Sequence, residues 1–293
     1  MKKNRSIQKV FSSKPTIEGA GVHLKRAFGF HEVPVFDPFL LLDDFRSNNP
    51  DDYIKGFPWH PHRGIETITY VLRGNVEHGD SMGNKGVIGS GDVQWMTASS
   101  GIIHQEMPKG DENGYNWGFQ LWANLPKSNK MMNPRYRDVK SNQIPEITTP
   151  NGAKIKIISG NVNGTIGPVR DIVIDPEYLD VTVPVKTEFI HPTKAGHTVF
   201  AYLIEGKGYF CEEKKLLTNE NLVLFDDGEQ IIVSTEDEPV RFLLITGKPI
   251  GEPLAWYGPI VMNTQGELKI AFEEYNNGTF IKNKMDEEGC LKR

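Results

Sequence analysis

Only two of the 293 residues are cysteine, Cys211 and Cys290, far apart and in no ligand-like or redox-like spacing. That excludes a disulfide scaffold and a thiolate metal cluster as the organising element. Long apolar runs are missing too. The best candidates, Phe39 to Leu42 and Phe242 to Ile245, fall far short of the roughly 18 residues that a membrane-spanning helix needs. The first residues, Met1-Lys-Lys-Asn-Arg-Ser-Ile, carry the charge that opens a secretory signal, but no apolar core follows; the expected location is cytoplasmic, with no membrane association. Positive charge is in deficit, 33 Lys and Arg against 38 Asp and Glu for a net −5. A polyanion-binding surface, and with it direct nucleic-acid binding, is not expected, and Lys2, Lys3, Arg5 and Lys9 read as a solvated terminus. Helical patterning is equally scarce. Only Gly266 to Gly278 reads as a helix, with Leu268, Ile270, Ala271, Phe272 and Tyr275 ahead of an Asn-Asn-Gly stop.

What the sequence has instead is turns, with 29 glycines and 19 prolines, more than the usual share. Short β-branched and aromatic runs lie between them. Thr67 to Leu72 is one, and Trp117, Phe119, Leu121 and Ala123 mark a period-two strand in 116–125. Further strand signals fall at 153–158, 169–174, 181–185, 199–204, 222–225 and 240–245. The stretch 126–150, rich in Pro, Asn, Lys and Ser, reads as a linker. At about 150 residues per domain, the chain divides into 1–135 and 136–293.

The two halves look like copies of one β-unit. Placing Gly74 over Gly206 also superimposes Gly64 on Gly196 and Tyr70 on Tyr202. In that register His60, His62 and Glu66 fall on Pro192, Lys194 and Thr198. With Gly101 placed over Gly228, His104 and Glu106 fall on Ile231 and Val233. Ligand-type side chains therefore belong to the first copy.

The segment Phe57-Pro-Trp-His60-Pro-His62-Arg-Gly-Ile-Glu66 carries the chemistry. Alternate residues of a strand share a face, so His60, His62 and Glu66 project together. His104-Gln-Glu106 repeats the two-residue spacing. Imidazoles and carboxylates grouped in this way suit a divalent transition ion. Arg63 falls on the opposite face and is assigned to a salt bridge, and His78, beyond the Gly74 turn, to a structural role. Trp95, Met96, Trp117 and Phe119 line either an aromatic pocket or plain core, and Trp59 is a candidate for the pocket entrance.

These motifs resemble those of the pirin family. The resemblance is carried by Phe36-Asp-Pro-Phe-Leu-Leu-Leu-Asp43, His60-Pro-His-Arg-Gly64, Gly83-Asn-Lys-Gly86, Gly91-Asp-Val-Gln-Trp-Met-Thr97, Gly101-Ile-Ile-His104 and Glu106-Met-Pro108. It continues in Gly247-Lys-Pro-Ile-Gly-Glu-Pro253, Tyr257-Gly-Pro259 and Val261-Met-Asn263, and runs from about Gly21 to Phe280. It implies an all-β fold of two tandem cupin (jelly-roll) β-barrels packed face to face, with a short C-terminal helix. Residues 1–135 would form the metal-binding barrel and 136–293 a ligand-free one. It also implies one divalent transition metal, foremost Fe(II), with Mn, Co, Ni, Cu or Zn as the other ions. The metal would be held by His60, His62, His104 and Glu106. Glu106 doubles as catalytic base, and Glu66 sits beside the ligands or the substrate. The implied activity is that of a quercetin 2,3-dioxygenase, an oxidoreductase that opens a planar flavonol, or a related phenolic enol, with O2 and releases CO. The alternative that the resemblance carries is a redox-sensing, iron-binding regulatory protein acting through protein partners.

Overall fold

The computed structural model describes residues 2–282. They group into two compact units, each made of several chain segments.

One unit comprises residues 15–33, 39–141 and 250–282. Its larger sheet has seven antiparallel strands in the order Arg135–Val139, Val93–Thr97, Ile65–Arg73, Asn116–Asn124, Phe39–Ser47, Val22–Phe28 and Lys14–Glu18. Its smaller sheet runs Phe57–His62, Ile102–Lys109, Asn75–Asp80, Lys85–Ile88. The central strand, Ile65–Arg73, is β-branched and buried almost throughout, as a strand covered on both faces must be. By contrast, Phe57–His62 holds Pro58 and Pro61, which have no N–H to give a ladder, and it takes the edge position where one side needs none. Gly64, just past the second histidine, has φ +79°. A Cβ there would stand 1.8 Å from the Val261 carbonyl oxygen, so only glycine lets the later segment cross at this point.

Residues 126–150 are not a linker. Arg135–Val139 closes the seven-stranded sheet against Val93–Thr97, and Glu146–Thr148 pairs with Lys154–Ser159 in the other unit. The prolines that suggested a linker, Pro134 and Pro145, stand immediately before those two strands.

The other unit comprises residues 2–14, 34–38 and 142–249. Its main sheet runs Ile7–Ser12, Asn221–Phe225, Thr198–Phe210, Val240–Gly247, Glu177–Val183, Lys154–Ser159 and Glu146–Thr148. The long strand Thr198–Phe210 continues into a second layer with Lys215–Thr218 and Gln230–Ser234, and the latter pairs with Glu188–Pro192. The stretch 169–174 is not a strand. Only an isolated bridge links Val169 to Ser159, and left-handed backbone at Asp171 and Asp175 interrupts any ladder.

The units depart from a division of the chain at residue 135 because Ile7–Ser12 pairs with Asn221–Phe225, while residues 250–282 build onto the first unit. There the helix Gln265–Asn276, capped reciprocally by Thr264 and Glu267, packs Leu268 and Ala271 on the hairpin Ala255–Tyr257/Ile260–Met262. Among the described residues no helix is long and apolar enough to cross a membrane.

The internal repeat has a physical basis. Gly74 (φ +78°) and Gly206 (φ +73°) both press a would-be Cβ against a carbonyl oxygen, that of Lys109 at 2.6 Å and that of Pro239 at 2.0 Å. In one respect the register shifts. His60 stands opposite His104, whereas the residue opposite Ile231 is His191, not Pro192, because the path from there to the shared glycine is one residue longer in the second unit. His191 is paired with Glu177 at 2.8 Å, and around Ile231 and Val233 the interior is filled by Phe189, Phe210, Phe225 and Phe242.

Candidate metal centre

The three histidines come from neighbouring strands of the small sheet. His60 and His62 alternate along the edge strand, and His104 sits directly opposite His60 on the next one. Along Ile102–Lys109 burial alternates strictly, which turns His104 and Glu106 inward together. His60 Nε2 lies 3.1 Å from His62 Nε2 and 2.9 Å from His104 Nε2. Among the described residues these three form the one group whose ligand atoms converge in this way.

The ring protons show what the cluster fits. His60 Nδ1 is 2.9 Å from the Pro58 carbonyl oxygen and His62 Nδ1 is 3.1 Å from that of Pro259. A carbonyl only accepts, so both protons sit on Nδ1. Two Nε2 lone pairs therefore face each other with no hydrogen between them, an arrangement that a cation relieves. The donor set, three clustered imidazoles beside a cavity, suits a divalent transition ion.

Burial, reinforced by the neighbouring imidazoles, holds His62 and His104 well below the ordinary imidazole value. In the unfolded chain they would take up protons near about pH 6.5. Below that pH the unfolded state binds more protons than the folded one, so stability falls as pH drops. Metal-free protein should melt at a lower temperature at about pH 5.5 than at about pH 7.5; an equal or higher midpoint at the acid value contradicts this.

His60 and His62, with His104 buried behind them, line a cavity of about 710 Å³. Its walls are largely apolar, with Val22, Leu24, Leu41, Phe45, Trp122 and Trp256 among them. The Trp122 ring lies 5.0 Å from that of His62. On the sheet wall Arg26 grips Asp43 through two bonds of 2.8 Å and reaches Glu18 at 2.9 Å. Glu106 lines the same cavity. One of its oxygens lies 2.9 Å from the Thr69 hydroxyl, and the other accepts from the Gln120 amide at 3.2 Å. In this arrangement the carboxylate is engaged by these two side chains beside the imidazole cluster.

Several expected pocket residues lie elsewhere. Thr69 and Gln120 are opposed in register and both line the cavity, so Ile68, Tyr70, Phe119 and Leu121 face the other way. Trp95 is opposite Ile68 and Phe119 opposite Tyr70, while Glu66 pairs with Thr97, whose hydroxyl donates to it at 2.6 Å. Glu66, Trp95 and Phe119 therefore occupy the far face of the sheet. Burial pushes the Glu66 carboxyl up from its usual range. Met96 faces inward but packs with Met82, Ala98, Ile102 and Tyr136. Trp59 points out of the edge strand, 52 % exposed, with its ring near Gly79. Arg63 takes the ion-pairing role expected of it, with Glu274. Sequence reasoning missed Thr69 and Gln120. It also assigned no role to Trp256, Tyr257 and Pro259, although the Tyr257-Gly-Pro259 motif was in plain view.

The pattern of the pirin family matches residues 21–123, and that of the pirin C-terminal cupin domain matches residues 178–281. A pirin-like protein of Caulobacter vibrioides is 41% identical over 94% of this chain and 99% of its own length. A Pseudomonas aeruginosa protein provisionally named a quercetin 2,3-dioxygenase is 40% identical over 95% of this chain and 99% of its own. The crystal structure of quercetin 2,3-dioxygenase from Acinetobacter baumannii superimposes with a TM-score of 0.87 at 29% identity, covering 94% of this chain and 98% of that one. Both barrels, their motifs and their near-complete overlap with these relatives lead to one assignment: the chain belongs to the pirin family.

Proposed function

We propose that this protein is a metal-dependent dioxygenase of the quercetinase type. On this reading it opens the central ring of a flavonol or a similar planar enol, both atoms of O2 enter the ring-opened ester, and one carbon leaves as CO. The observation that carries the reading is the convergence of three imidazole nitrogens, two of them from side chains that line a largely apolar cavity. A bound divalent ion, foremost Fe(II), would stabilise the enolate form of the substrate and supply a redox centre for O2.

The chain's own residues supply the rest. Trp122, Trp256 and the aliphatic wall suit a flat aromatic substrate and exclude water. Glu106 is the base that takes the proton of the substrate's 3-hydroxyl. Thr69 and Gln120 hold its two oxygens at the cavity wall, and on this reading the carboxylate also reaches the metal as a fourth ligand. Three imidazoles and one carboxylate leave room in an octahedral shell for substrate.

The test is flavonol turnover. Iron-loaded protein incubated with quercetin and O2 should consume the flavonol and release one CO for each molecule lost. A Glu106→Gln variant, which keeps an amide in the same place, should lose about a hundredfold to ten-thousandfold in kcat at saturating metal. No turnover with Fe, Mn, Co, Ni or Cu overturns the reading. The regulatory alternative would then stand on partners whose binding depends on the oxidation state of the metal.

A further inference from the structure

His78 is buried, and neither of its ring nitrogens has a hydrogen-bond partner. Nothing in the proposed reaction uses it. Four residues past the repeat glycine in the other unit stands Phe210, part of an apolar core, so packing alone does not call for a histidine at this position. His78 lies directly opposite Glu106, and Asp80 directly opposite His104, so all four share the inner face of the small sheet.

The His78 ring centroid is 5.3 Å from that of His104. On the other side it is 4.9 Å from Tyr136, whose hydroxyl oxygen accepts from the Gln94 amide. His104 is the one member of the imidazole cluster whose Nδ1 has no acceptor, while His60 and His62 each use a carbonyl. A ligating imidazole depends on a partner for its outer N–H to fix its orientation, and a buried N–H left alone is costly. His78 Nε2 lies 3.7 Å from Asp80 Oδ2. That favours the proton on Nε2 and leaves the Nδ1 lone pair free to accept.

We propose that His78 is a positioning residue for the metal centre. Its Nδ1 accepts the His104 Nδ1–H, directly or across one water, and Asp80 fixes the His78 tautomer. The cluster is then complete on its outer side, with Pro58, Pro259 and His78 each orienting one imidazole. This rests on the reading of His60, His62 and His104 as a metal site.

Cobalt(II) titration of the full chain, followed by its optical spectrum, tests the proposal. The unsubstituted protein should take up one Co(II) per chain. His78→Phe should bind about tenfold to a hundredfold more weakly with an altered Co(II) spectrum, and His78→Gln, whose amide oxygen accepts, should recover most of both. A purely structural role would change thermal stability without moving the spectrum. Equal affinity and spectrum in the Phe variant overturn the role of His78 alone; no Co(II) uptake by the unsubstituted chain overturns the metal reading and the role together. Nitrogen-15 NMR of the unsubstituted, zinc-loaded protein decides the matter without any variant. Protons on His78 Nε2 and His104 Nδ1 support the proposal, and a proton on His78 Nδ1 overturns it.

Discussion

A His104→Ala variant, equilibrated with metal and then freed of excess, will retain under about a tenth of the metal held by the unsubstituted chain. His104 is fully buried and sits directly opposite His60. Its removal leaves two imidazoles on one edge strand, with no imidazole facing them from the neighbouring strand. The folded state should tolerate the change in the absence of metal, because the substitution also deletes a buried ring nitrogen that has no partner of its own. His191→Ala in the other unit is the matched control. There the histidine is satisfied by Glu177 and lies among packed apolar side chains, so metal content should not change. Metal content measured on both variants, beside their circular dichroism, checks this; equal loss in the two would remove the assignment to the first unit.

Arg63→Met is expected to cost about 3 kcal/mol or more of stability. Arg63 lies between His62 and Gly64 in the sequence, and the three nitrogens of its guanidinium donate to the Ser100 carbonyl, the Glu274 carboxylate and the Phe280 carbonyl, each at 2.7 Å. It also stacks on the Phe280 ring at 4.2 Å. Methionine keeps much of the volume but removes all three donations at once, leaving Glu274 with Lys282 alone. Lysine cannot serve three directions from one ammonium with the same geometry. Because Arg63 also bridges to Ile260, and Val261 N–H donates to the Arg63 carbonyl, loosening this region displaces Pro259 and with it the acceptor that orients His62. Urea unfolding of the metal-free protein measures the first effect and metal affinity the second. A loss below about 1 kcal/mol with unchanged affinity would mean that Arg63 is only a surface-type pair.

The grouping of the three imidazoles was legible in the sequence because its geometry is local. A two-residue step on a strand fixes which side chains share a face, and His60, His62 and His104 needed only that plus one pairing. The surroundings were not legible, for two physical reasons. The first is that the central sheet is buried on both faces. All five residues of Val93–Thr97 are buried, so period-two alternation says which residues go together without saying which set faces the cavity. Trp95 and Phe119 stay open between pocket and core for that reason, whereas Glu66 parts from His60 and His62 because Phe57–His62 ends before Gly64 and Ile65–Arg73 begins in the other sheet. The second is that the remaining partners arrive from a distance. Pro259 reaches His62 across 197 positions of sequence from the turn of a late hairpin, and Gln120 meets Thr69 across 51 through strand register. The strand Arg135–Val139 escaped notice because it is a polar edge strand framed by turn residues, which reads like a loop until Val93–Thr97 is seen to need a neighbour.

The central claim is that one divalent ion sits among His60, His62 and His104. The most direct measurement is anomalous diffraction from crystals of metal-loaded protein at that metal's absorption edge. The account predicts a single strong peak per chain, within bonding distance of all three Nε2 atoms. A peak at His191 and Glu177 instead, or none at the three imidazoles in protein shown to carry metal, would contradict it.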